Sequence, residues 1–168
     1  LSKEELINLL GRPRLDCAKD VLNLIEEEIT IEELLKVHIP YQRSLIKECK
    51  AIKNAEKIVR FLKKKNIPIA LVTSSSRKSV EYKISLHPWI DLISLKIVGD
   101  DPEVKKGKPS PMPYLLAAKK LKLNPSNCWA VEDSASGIKS ALDAECKVWA
   151  YKPNDNYERI NLNKNPIY

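Results

Sequence analysis

The stretch Asn127-Cys128-Trp129-Ala130-Val131-Glu132-Asp133-Ser134-Ala135-Ser136-Gly137-Ile138 decides the fold. Its first half is apolar enough for a buried strand, and its second half opens a helix. Two acids in succession stand where one becomes the other. Carboxylates at the tip of a buried strand cost several kcal/mol unless a cation neutralises them. A hard divalent cation, which takes oxygen ligands, is the natural partner, and Mg²⁺ suits the role. Helix capping by Asp133 or Ser134 accounts for one polar residue there but not for two acids. Glu132 and Asp133 are therefore the candidate metal ligands.

Two other polar clusters lie upstream. The apolar run Ile67 to Val72 ends in Thr73-Ser74-Ser75-Ser76, and a helical stretch begins near Arg77. Such a loop presents N–H and O–H donors beside a helix start, which favours a phosphate, although a plain run of capping serines would look the same. Between the two strand ends comes Gly107-Lys108-Pro109-Ser110-Pro111. Two prolines fix the backbone after Lys108, so the lysine is aimed rather than free and can hold the charge of a transferring phosphoryl group. A hydroxyl loop, a lysine and an acidic pair, all at strand ends, make a Mg²⁺-dependent phosphate site. Their co-location carries the argument, because ligands of open α/β sheets bind outside the carboxyl ends of the strands.

The rest of the chain agrees. Ser2 with Glu5, and Thr30 with Glu33, have the spacing of capping boxes, and apolar residues recur at helical intervals between them. Gly11 stops the first helix, and Pro40 is expected to kink or end the third. From about Ala51, helices alternate with strands over Ile67–Val72, Ile90–Val98, Cys128–Val131 and Cys146–Tyr151, which calls for an α/β fold with a parallel sheet. The expected division is a helical unit over residues 1–50 and an α/β core over 51–168, ending in an irregular tail from Asn154 to Tyr168.

Composition narrows the function classes. At 168 residues, 43% hydrophobic and 30% charged, the chain resembles an ordinary soluble protein. No apolar stretch approaches the roughly 20 residues of a membrane span, and the polar start lacks the pattern of a secretory signal. Leu1 in place of methionine points to a piece of a longer chain. The net charge of +7 comes mostly from lysines scattered over helical faces, without interleaved aromatics, so nucleic acid is not an expected partner. Cys17, Cys49, Cys128 and Cys146 show no C-x-x-C spacing and read as reduced thiols of a cytoplasmic protein. A monomer acting on a small phosphorylated metabolite is the expectation.

The series VTSSS (72–76), KGKPSP (106–111) and VEDSASGI (131–138) resembles the second, third and fourth motifs of the haloacid dehalogenase (HAD) superfamily. The similarity is to the helical-cap branch that includes β-phosphoglucomutase and many small-metabolite phosphatases. The resemblance implies a HAD-like Rossmannoid parallel sheet core with an N-terminal helical cap. It implies that Thr73, Ser74, Ser75 and Lys108 bind the phosphoryl group, that Asp133 with Glu132 holds Mg²⁺, and that Arg14 of the cap contacts substrate. Thr73, Lys108 and Asp133 would be the catalytic set.

The family's first motif, Asp-x-Asp-Gly-Thr on the first core strand, has no match in residues 1–168. Its first aspartate is the nucleophile, so the resemblance places the nucleophile upstream of this chain. The leading expectation is a phosphatase working through an aspartyl-phosphate. A phosphomutase is the alternative within the enzymes, and a fragment that binds phosphate or a partner without turnover is the alternative outside them. A response-regulator receiver domain uses similar groups, but there the acids precede the hydroxyl and the lysine comes last.

Overall fold

The computed structural model describes residues 2–25, 28–151 and 158–159. Helix α1 (Lys3–Leu9) starts where the sequence pattern places it. The Glu5 N–H donates to the Ser2 hydroxyl at 3.2 Å, and the Ser2 N–H donates to the Glu5 carboxylate at 2.6 Å. The chain then turns at Gly11, whose φ of 73° suits a residue without a side chain. Helix α2 (Arg14–Leu24) follows Pro13, and α3 (Ile31–Ile46) opens on the second capping box, Thr30 with Glu33.

Of the two outcomes expected at Pro40, a kink or an end, the end does not occur: α3 runs on to Ile46 with the proline inside it. Pro40 removes the N–H that would serve the carbonyl of residue 36. Both Lys36 and Pro40 are exposed, so water can take that carbonyl.

Thereafter helices and strands alternate: α4 (Ala55–Lys64), β1 (Ala70–Val72), α5 (Arg77–Leu86), β2 (Leu95–Ile97), α6 (Met112–Leu121), β3 (Trp129–Glu132), α7 (Ala135–Asp143) and β4 (Lys147–Ala150). The strand expected over Ile90–Val98 is shorter, because Pro88–Leu92 forms a 3-10 turn before it. The tail expected to be irregular supplies a two-residue strand, β5 (Glu158–Arg159), antiparallel to β4. The remainder of that tail lies outside the described residues.

Strand β1 pairs in parallel with β2, from Ala70↔Leu95 to Val72↔Ile97, and β3 pairs in parallel with β4, from Trp129↔Lys147 to Glu132↔Ala150. Among the described residues no ladder joins β1 to β3, so the architecture is two half-sheets. Side chains join them instead. Val72 packs against both apolar clusters: one built on Tyr114, Ala130 and Val148, the other on Ile97, Leu116 and Ala117. Helix α6 supplies residues to both, which makes it the element that holds the halves together.

Strand β3 also departs from a sheet covered on both faces. Ala130 and Glu132 are buried, whereas Trp129 and Val131 are 50% and 63% exposed. Trp129 leans on Trp149 with ring centroids 5.6 Å apart. The carboxyl ends of β1 and β3 lead into loops 73–76 and 133–134, and the polar clusters meet there.

Candidate active site

Lys108 is the pivot of the site. It is only 6% exposed, an unusual position for a lysine, and its Nζ donates both to the backbone carbonyl of Val72, at 3.1 Å, and to the carboxylate of Glu132. One side chain thus ties the end of β1 to the end of β3. Its loop is held firmly. The Ser110 N–H donates to the Gly107 carbonyl at 3.0 Å, and the Ser140 hydroxyl of α7 donates to the Ser110 carbonyl at 2.5 Å.

Glu132 is equally committed. The same carboxylate oxygen that meets Lys108 accepts from the phenol of Tyr114, and the other accepts from the Ser134 hydroxyl at 3.4 Å. Burial, then the Glu132 charge, pushes the Tyr114 phenol well above its ordinary range, so it stays a proton donor. The Lys108 Nζ also lies 5.2 Å from the centre of the Tyr114 ring, a cation–π contact. Gly137 makes the space: a Cβ built on it would overlap the Glu132 carboxylate.

These contacts divide the acidic pair. Glu132 is buried and satisfied by protein donors, whereas Asp133 is exposed, with no hydrogen bond to it among the described residues. No group of three or more His, Cys, Asp or Glu placed to hold a metal ion is gathered among the described residues. Asp133 fits one position in a Mg²⁺ shell, which ordinarily keeps several waters and takes one or two carboxylates plus substrate phosphate. A partial donor set of that kind is what this edge offers.

The hydroxyl loop is arranged less simply than the sequence implied. Thr73 follows β1, its N–H donating to the Ile97 carbonyl at 2.9 Å. Its Oγ1 accepts from the Ser75 N–H at 3.1 Å, which leaves its own proton for another acceptor. The Ser74 hydroxyl, however, donates to the Gly11 carbonyl at 2.7 Å, and the Ser75 hydroxyl accepts from Lys83 at 3.3 Å. The α1–α2 turn therefore lies directly on the site. Ser136 adds a second hydrogen bond, to the Leu10 carbonyl at 2.9 Å, and a Cβ on Gly11 would overlap Ser134. Arg14 is turned toward Gln42 of α3, donating at 2.6 Å, rather than toward Lys108.

So the structure brings Thr73, Lys108, Glu132 and Asp133 to one edge, with the hydroxyl of Ser74 engaged by the helical unit. Sequence reasoning missed Tyr114, Lys83 and Gly137. Tyr114 sits at a helical apolar spacing after Pro111 and reads as core. Only the burial of Glu132 directly opposite gives its hydroxyl a role.

The sequence model of haloacid dehalogenase-like hydrolases matches residues 1–151, nearly the whole chain. The chain belongs to this family. It is 35% identical over 147 residues to a bifunctional riboflavin kinase/FMN phosphatase of Arabidopsis thaliana, covering 87% of this chain and 38% of that protein. It is 33% identical over 144 residues to a probable pseudouridine-5'-phosphatase of Saccharomyces cerevisiae, covering 80% and 61%. Among solved structures, a HAD hydrolase of family IA, variant 3, from Entamoeba histolytica superposes with a TM-score of 0.72 at 30% identity, over 93% of this chain and 71% of that one. The chain thus spans between about two fifths and three fifths of the length of the two sequence relatives.

Proposed function

We propose that this chain is the cap and most of the core of a phosphatase that acts on a small phosphorylated metabolite. The observation that carries the reading is Lys108, a buried cation fixed across the ends of β1 and β3. An ammonium held in that way is preorganised for negative charge arriving at the strand ends, and it needs no rearrangement when the charge develops. Family membership and the phosphatase names of the relatives support the same reaction class.

Each residue then has a role. Thr73 donates its hydroxyl proton to a phosphoryl oxygen. Lys108 holds the phosphoryl charge and that of the attacking carboxylate. Glu132 orients Lys108, and Tyr114 orients Glu132. Asp133 would hold Mg²⁺, which when bound would screen the phosphate charge. The residues over 1–50 act as a cap, with the Leu10–Pro13 turn closing over the strand ends. The attacking carboxylate itself comes from a segment not included in residues 1–168, and its place is between β1 and β3. Among the described residues β1 and β3 each keep an edge without a ladder, which supports that placement.

Inorganic phosphate binding, measured by calorimetry with and without Mg²⁺, tests the reading. The chain should bind phosphate, and Lys108→Ala should abolish binding. Asp133→Asn should remove only the Mg²⁺-dependent part. Turnover of an aryl phosphate is expected only once the upstream strand is supplied. Isomerisation of a sugar phosphate in place of phosphate release would move the reading to a phosphomutase. Phosphate binding indifferent to Lys108→Ala would sink it.

A further inference from the structure

The end of β2 grips the hydroxyl loop from the flank opposite β3. The parallel ladder runs past both strands: the Thr73 N–H donates to the Ile97 carbonyl at 2.9 Å, and the Gly99 N–H donates to the Ser75 carbonyl at 2.8 Å. One residue on, Asp100 Oδ1 accepts from the Arg77 N–H at 2.7 Å. A carboxylate from a different turn thus takes one of the free N–H groups at the start of α5. Thr73, Ser75 and Arg77 are all fixed by one segment, residues 97–100.

Between those points the two backbones nearly touch. A Cβ built on Gly99 would lie 2.2 Å from the Ser74 carbonyl oxygen and 2.7 Å from its carbon, too close for any side chain. Gly11 alone among the described glycines has a positive φ, so at Gly99 the bare Cα serves space and not backbone conformation. A methyl group there would force one side to yield, and the β2 side is the firmer. Ile97 and Val98 are 0% and 1% exposed. Asp101, just beyond, is buried, its N–H on the Val98 carbonyl and its carboxylate on the Glu103 N–H. Thr73 to Ser76 are only half-buried, so the loop would move away from β2.

That movement matters because of how Thr73 is aimed. Its Oγ1 accepts from the Ser75 N–H at 3.1 Å, which directs its single proton elsewhere. The carbonyl of the same Ser75 is the group held by Gly99. A shift of Ser75 therefore turns the Thr73 hydroxyl, and a hydrogen bond weakens steeply once its angle is lost. We propose that Gly99 and Asp100 are positioning residues of the phosphate site, which set the direction of the Thr73 hydroxyl without touching the ligand. The assignment rests on the phosphate reading above and extends its supports to β2.

Calorimetric titration with inorganic phosphate tests this, with denaturant unfolding to establish that each variant is folded under the conditions of the titration. Gly99→Ala should weaken phosphate binding about tenfold or more, the worth of one hydrogen bond to a charged group. Asp100→Asn keeps an acceptor for the Arg77 N–H and removes a negative charge, so it should bind phosphate at least as well as the wild type. Asp100→Ala removes the same charge but also the acceptor, and should bind about fivefold more weakly than Asp100→Asn. A purely structural role would lower the stability of both Asp100 variants without separating their affinities. Unchanged affinity in Gly99→Ala, or equal affinity in Asp100→Ala and Asp100→Asn, overturns the positioning role alone. If Gly99→Ala does not fold, the Asp100 pair decides by itself. Failure of the wild type to bind phosphate, or binding indifferent to Lys108→Ala, overturns the phosphate reading and the positioning role with it.

Discussion

Lys108 and Glu132 illustrate how unequal the two ways of losing a buried pair are. With side chains 6% and 7% exposed, neither partner can turn to water if the other is removed. Lys108→Met should therefore destabilise the fold by roughly 3–5 kcal/mol, through the carboxylate left behind. Adding Glu132→Gln removes that stranded charge and should restore a good part of the loss, which denaturant unfolding of the two single variants and the double variant would measure. Tyr114→Phe is milder. It leaves Glu132 one donor short and should cost about 1–3 kcal/mol in the same assay, with phosphate affinity falling as Lys108 loses its alignment. Thr73 and the Glu132–Asp133 pair stood out in the sequence as polar residues ending apolar runs, and Lys108 as a lysine followed by two prolines that fix its backbone. The division of labour between Glu132 and Asp133 was not legible, since two adjacent acids look alike until burial separates them. Ser74 and Ser75 were legible as loop hydroxyls, but their present partners, Gly11 and Lys83, come from elsewhere in the chain and leave no local signal.

At the scale of elements, local chemistry did much of the work. Both capping boxes formed, and the start of each helix follows from a side chain three residues before a glutamate. Thr30→Ala should cost α3 about 1 kcal/mol, which thermal unfolding would record. The pH dependence has a definite sign. Hydrogen bonds from the Thr30 backbone and hydroxyl hold the Glu33 carboxyl below its ordinary value of 4.5. The contribution of Glu33 is thus present above that value and fades as pH falls through the lowered one. Far-ultraviolet circular dichroism of the wild type and Thr30→Ala should show their difference narrowing in acid. A difference that widened in acid would contradict the capping role. The strands were legible as apolar runs but not in length. Pro68 has no N–H to give a ladder, and β1 begins only at Ala70. Pro40 does not end α3, where exposure of Lys36 and Pro40 lets water take the carbonyl that a buried helix would leave stranded.

Over the whole molecule, the alternation of helix and strand made an α/β fold legible, and the motif order made the family legible. The split in the sheet was not. No property of Val72 or Val131 records which neighbour a strand will find, and pairing between distant segments is a tertiary fact. Among the described residues the halves are joined through Lys108, Val72 and helix α6, with no backbone ladder across. Cooperative unfolding is transmitted best by continuous hydrogen-bonded sheets, and regions joined by few contacts open on their own. Amides of β1–β2 and of β3–β4 should accordingly exchange with deuterium as two separate groups, each with its own opening free energy. Lys108→Met should move those energies further apart, and a synthetic strand that fills the gap should merge them. A single shared exchange rate across all four strands would mean that the halves already behave as one. On this view Lys108 is a thermodynamic coupling, and occupancy of the cleft would be felt as a change in how the molecule breathes.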